Sequence, residues 1–220
     1  MARRTSRPVL PRPDLDVLEP SSLRPVPGDL VDGLDLHDLD LGGSDLRGTR
    51  FLNCRVREVS ADGIDLRRSR FTDCALAEWR GSEMNLAEAT WREVEFSGLR
   101  VGAFAGSGLV LERVLLEDAR VDYLDLRGST VTDLTLRGCD LRDVDATGCT
   151  WTRVRFEDCR LGGLDTTGAT WRSVDLRGAE FAAGAQIAGV AGLRGAVVDD
   201  AQLLLLAPLL AAELGLRVEP

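Results

Sequence analysis

From Leu36 to Phe181 the bulky apolar residues of this chain recur at every fifth position. The series runs Leu36, Leu41, Leu46, Phe51, Val56 and onward to Trp171, Leu176 and Phe181, and twenty-five of its thirty members are bulky and apolar. The register two residues later (Asp38, Gly43, Gly48, Asn53, Glu58 and onward) holds one bulky apolar residue, Tyr123, and eleven glycines. A helix turns each fifth residue by about 140°, which scatters the series around the cylinder. A continuous strand flips it from face to face at every step. A chain that turns a corner every five residues points each centre inward, and the residue two earlier (Leu34, Cys54, Ile64, Cys74, Val94, Val144, Cys159) fills the corner behind it.

A longer period sits on top of the first. "ATWREVEF" (89–96), "CTWTRVRF" (149–156) and "ATWRSVDL" (169–176) recur at multiples of twenty residues, so four five-residue sides make one coil. That phase predicts one column of Phe51, Phe71, Trp91, Leu111, Val131, Trp151 and Trp171, and another of Leu46, Leu66, Leu86, Gly106, Leu126, Ala146 and Thr166. Gly81, Gly106, Ala146 and Thr166 mark a thinner core. The units "LDLRG", "GSDLRG", "EMNLAE", "TDLTLRG", "GCDLRD" and "SVDLRGAEF" resemble the pentapeptide repeat family. The resemblance implies an all-β fold, a right-handed quadrilateral β-helix with a short C-terminal helical cap. Seven to eight coils at about 4.8 Å each give a rod of roughly 36 Å. Leucine-rich repeats also have periods of twenty or more, but their leucines are unevenly spaced.

Three segments follow. Residues 1–27 hold six of the eight prolines with Arg3, Arg4, Arg7, Arg12 and Arg24, and predict an extended, partly disordered arm. Residues 28–198 carry the β-helix. Residues 199–220, with "DDAQLLLLAPLLAAELG", predict a helix, or two short helices bent at Pro208. Leu203, Leu206, Leu209, Leu210 and Leu214 are too many for a solvated tail, so they cap the rod, pair two chains into a homodimer, or do both.

Composition narrows the chemistry. All 27 basic residues are Arg, and 36 acidic residues leave a formal charge of −9, which disfavours direct nucleic-acid binding. No run approaches the ~18 apolar residues of a membrane span, and "MARRTSRPVLPRP" has no apolar core after its arginines, so the expected location is cytoplasmic. The five cysteines fall at corner positions and are expected to be reduced thiols rather than metal ligands or disulfides. His37 is the only histidine and has no candidate nucleophile beside it, and "SADG", "GAFAGSG" and "LGG" lack the context of phosphate loops. The sequence therefore points away from an enzyme, and calls for no cofactor or metal.

What remains is the surface. Asp45, Asp65, Asn85, Ala105, Asp125, Asp145 and Asp165 precede successive centres of one column and predict a carboxylate ladder, with Arg47, Arg67 and Arg127 in the neighbouring column. A second acidic column is Asp38, Glu58, Glu78, Gly98, Asp118, Gly138, Asp158 and Gly178. Within the family it resembles, the chain is similar in length, acidity and C-terminal element to members that protect DNA gyrase from quinolones by imitating duplex DNA. The resemblance thus implies a DNA mimic that binds a type II topoisomerase, DNA gyrase or topoisomerase IV, through Asp45, Asp65, Asp125, Asp145 and Asp165. The alternative is an acidic scaffold for an unrelated protein partner, because Asp before the central Leu belongs to the repeat itself.

Overall fold

The computed structural model of the protein describes residues 6–15 and 17–217. All its strands belong to one sheet wound upon itself, and every pairing between them is parallel. Partners lie twenty residues apart: Phe51 faces Phe71, Phe71 faces Trp91, Trp91 faces Leu111, Leu111 faces Val131, Val131 faces Trp151 and Trp151 faces Trp171. The first predicted column is therefore the observed one. The second is joined the same way, with Leu46 N–H donating to the Asp65 carbonyl at 2.8 Å and Leu126 N–H to the Asp145 carbonyl at 2.8 Å.

Coil stacking forces like onto like in the core. Phe51 and Phe71 are parallel with ring centroids 4.6 Å apart, and Trp151 and Trp171 are parallel at 5.0 Å. Trp91 breaks the ladder by meeting Phe71 edge-on at 5.9 Å. Both arrangements are favourable for aromatic quadrupoles. Each buried Leu or Phe contributes on the order of 1.5 to 3 kcal/mol through loss of apolar surface to water.

The positions marked as thin are filled by their neighbours. A Cβ on Gly106 would lie 2.9 Å from the ring of Phe104, the buried residue two places earlier. At Gly81 a Cβ would lie 2.8 Å from the Ala61 carbonyl, while Trp79, again two places earlier, is fully buried against Phe71 and Phe96. Thr166 is buried with its hydroxyl donating to the Gly189 carbonyl at 2.8 Å. Bulk has moved from the centre to the corner rather than being lost.

The corners carry the backbone strain. Fourteen non-glycine residues have positive φ, among them Asp38, Glu58, Glu78 and Asp118, and every one occupies the second position after a centre. Gly48 and Gly63 serve the same position. On the side formed by Arg100–Ala105, Arg120–Asp125 and Asp140–Asp145 that position stays extended, so the side is flat.

The ends differ from the repeat. The sheet begins at Glu19–Ser21, inside the segment expected to be arm, as a short edge strand against Leu34–Asp40. Pro20 is tolerated there because an edge leaves its missing N–H unneeded. At the other end the register slips between Leu161 and Gly163, so that Gly163 faces Gln186. The tail is a single helix, α1 (Asp200–Glu213), with Pro208 inside it, rather than two helices. Asp199 caps it by accepting the Gln202 N–H at 2.8 Å, and the Gln202 side chain accepts the Asp199 N–H at 3.1 Å. The Gln202 amide then donates to the carbonyls of Leu176 and Ala179, which ties α1 to the last coil.

Corner strain gives a paired expectation. Gly48→Ala, at φ +70° with open space around it, should cost about 1 kcal/mol by strain alone. Glu58→Gly, which relieves a side chain at φ 57°, should gain up to about 1 kcal/mol after the entropy of the unfolded glycine is subtracted. Denaturant midpoints check both; shifts of the same sign would contradict the account.

Candidate interaction surface

The predicted ladder is present as a column. Asp45 pairs with Asp65, Asp65 with Asn85, Asn85 with Ala105, Ala105 with Asp125, Asp125 with Asp145, and Asp145 with Asp165. Its carboxylates, however, are already engaged. Each caps its corner by accepting the N–H two residues on, from Arg47 at 3.1 Å to Thr167 at 2.8 Å. Where that residue is Arg, its guanidinium also closes back on the same carboxylate, at 2.6 Å for Asp45 and Asp65 and 2.8 Å for Asp125.

These contacts set the charge states. The hydrogen bond from Arg47 holds the Asp45 carboxyl at about 2. Arg67 lowers Asp65 in the same manner. At Asp125, which is only 4% exposed, burial pushes upward, but hydrogen bonds from Arg127 outweigh it and the net shift is downward. Asp145 accepts from the Tyr123 hydroxyl at 3.3 Å and lies 3.6 Å from Arg127 Nε. Of the five predicted site residues, Asp165 alone has no cation within 4 Å among the described residues.

The second column is electrostatically the opposite. Asp38, Glu58, Glu78, Asp118 and Asp158 are all exposed, and among the described residues none has a hydrogen-bonded or ionic side-chain partner. Their left-handed corners turn the side chains away from the capping geometry that neutralises the first column. Two positions on, Arg80, Arg100 and Arg120 stack in consecutive coils, with Arg120 3.7 Å from Asp140. The edge therefore presents acid and base in parallel rows.

All five cysteines are free and buried, and burial pushes the thiols of Cys74 and Cys149 up to about 12 and about 11. His37 is exposed. Among the described residues no three His, Cys, Asp or Glu side chains are grouped to hold a metal, and no helix is long and apolar enough to cross a membrane.

Of the five leucines read as cap or dimer contacts, only Leu206 is buried, and Leu210 is half-buried. Leu203, Leu209 and Leu214 are exposed, as are Leu204 and Leu205. A helix apolar on every side touches the rod along one stripe, Gln202 and Leu206, one turn apart. The sequence missed Gln202, whose only signal was its place three residues after the capping Asp199.

Fold and surface together define a parallel β-solenoid with five-residue sides. The family model for pentapeptide repeats matches residues 35–73 in eight copies, and the same five-residue frame continues to Phe181. No curated protein matches it. Similar solved structures include HetL, a pentapeptide repeat protein involved in heterocyst differentiation regulation from the cyanobacterium Nostoc sp. strain PCC 7120, at 18% identity and TM-score 0.36 over 80% of this chain and 92% of that one. Full-length QnrB1, a plasmid-mediated fluoroquinolone resistance protein, is similar at 16% identity and TM-score 0.41 over 84% of this chain and 91% of that one.

The lowered carboxylates yield a pH expectation. Their folded values lie below the ordinary 3.8, so the stability they contribute is fully present above that value and is lost as pH falls toward 2. The denaturant midpoint should be level from pH 7 to about 5 and drop below about 4. A midpoint unchanged down to pH 2 would show that the Asp–Arg corners contribute nothing to stability.

Proposed function

We propose that this chain is a non-enzymatic, cytoplasmic protein-binding scaffold that presents its unpaired carboxylate corner to a basic surface of a protein partner. The observation that carries the reading is the column Asp38, Glu58, Glu78, Asp118 and Asp158, exposed and without partners. Charges free of internal pairing keep their full attraction for an external cation, whereas Asp45, Asp65 and Asp125 have spent theirs on Arg47, Arg67 and Arg127. The buried reduced thiols suit a reducing compartment.

The narrower reading is mimicry of duplex DNA on DNA gyrase or topoisomerase IV. The same free column favours it. The Asp45 ladder is paired with arginine, so mimicry would rest on the second column instead, with five carboxylates over about 29 Å against one charge per about 1.7 Å of duplex DNA. A supercoiling assay with purified gyrase, with and without a quinolone, decides this version. Inhibition or protection by the protein, lost when Asp38, Glu58 and Glu78 become Asn, Gln and Gln, is the expected result. If the protein does neither at concentrations well above the enzyme's, the mimic is excluded. The broader scaffold is tested separately by affinity capture with the wild type and the same triple variant at low salt. A protein retained only by the wild type supports it; identical retention by both, with the fold intact by circular dichroism, removes the acidic corner from the account.

The scaffold acts as a homodimer through α1. Four leucines of α1, Leu203, Leu204, Leu205 and Leu209, and Leu214 just after it stay in water unless a second copy covers them. Light scattering at micromolar concentration should give twice the chain mass, and Leu204→Asp with Leu205→Asp should halve it. A wild-type monomer would rule the dimer out while leaving Gln202 and Leu206 as the cap.

A further inference from the structure

The N-terminal arm is laid along the rod in a fixed rhythm. Ser6 Oγ is 3.3 Å from Ser173 Oγ, the Val9 N–H donates to Asp133 Oδ1 at 2.9 Å, and the Arg12 N–H donates to Glu93 Oε2 at 3.1 Å. Each step of three residues in the arm crosses forty residues of the rod, which is two coils. Polyproline II rises about 3.1 Å per residue, so three residues cover about 9.3 Å. Two coils at about 4.8 Å cover about 9.6 Å. The two periods match to within a few tenths of an ångström.

The rod supplies acceptors at that spacing. Down the column beneath the arm stand Glu93, Arg113, Asp133 and Arg153, one per coil, with acid and base alternating. Arg113 pairs with Glu93 Oε1 and leaves Oε2 for the arm, while Arg153 grips both oxygens of Asp133 at 2.6 Å and shares Oδ1 with the Val9 N–H, so each carboxylate is oriented from the next coil. Asp133 is 3% exposed with the arm in place and accepts from both Arg153 and the Val9 N–H. Pro8, Pro11 and Pro13 restrict the arm to extended φ without removing either donor that is used, and Pro11 is buried.

We propose that this corner is a binding site for an extended, proline-rich segment read at three residues per two coils, that residues 6–15 occupy it as a ligand in the same chain, and that a second such segment reaches it by displacing the arm. The recognised chemistry is a polyproline II backbone whose free N–H groups recur every third residue, with prolines between them.

The test uses full-length protein and a fluorescein-labelled peptide with the sequence of residues 6–15. A tethered ligand competes at an effective concentration of order millimolar, so the native chain should bind the peptide weakly. Full-length protein carrying Pro8→Gly, Pro11→Gly and Pro13→Gly, whose own arm is less preorganised, should bind it at least about tenfold more tightly. A peptide of the same composition with its prolines at other positions should bind neither. Equal binding of the two peptides overturns the proposal, because charge alone would then explain it. So does failure of the native-sequence peptide to bind the triple variant while circular dichroism shows the rod intact. Amide exchange in the native chain gives an independent reading: Val9 and Arg12 should exchange at least about tenfold more slowly than Leu10, and equal rates would overturn the register itself.

Discussion

Most backbone groups of the strands find their partners one coil above or below, and this requirement organises the molecule. Because the partner is twenty residues away in sequence and about 4.8 Å away in space, any side chain rests on its counterpart in the next coil. Apolar centres therefore form columns, aromatic rings stack or meet edge-on, and charges line up in ladders whether or not a ladder is useful. A solenoid of this kind cannot hide a local choice; it repeats or compensates it. The movement of bulk from Gly106 to Phe104 and from Gly81 to Trp79 is such a compensation, made within three residues so that the coil above is undisturbed.

The same stacking explains why acidity alone is a poor guide to a binding face. An Asp before a centre lies where it can cap the corner, and an Arg two residues later lies where it can close on that Asp. A column built from "DLRG" units is thus self-neutralising and contributes to stability, while the column of Asp38, Glu58, Glu78, Asp118 and Asp158 has no side-chain partner among the described residues. Charge that is internally satisfied is a component of the fold, and charge that is not is available to a partner.

A solenoid couples each coil only to its neighbours, so its ends are weak points. Two devices act there. The helix α1 places Gln202 and Leu206 over the last coil, with the Gln202 amide donating to the carbonyls of Leu176 and Ala179. The arm does something the repeat cannot, since it ties residues 6–12 to coils eighty to more than one hundred and sixty residues away and so links distant coils directly.

The five-residue frame, the twenty-residue coil and the two columns were legible from the amino-acid order, because a strictly local period needs no knowledge of what lies beside it. The carboxylate ladder was legible as a position and not as a charge. Whether Asp125 is a free anion or a buried partner of Arg127 depends on where a flexible guanidinium comes to rest, which the order of residues leaves open. The tail was legible as apolar and helical, but its inward stripe was not, since leucine on all sides carries no direction; the capping of Asp199 and the docking of Gln202 chose Leu206 over Leu203 and Leu209. The arm's prolines foretold extension and partial disorder, and no path along the rod. Its path over Asp133 and Glu93 was decided by the agreement of two periods, one set by the polyproline backbone and the other by the stacked coils, which meet only in the folded chain.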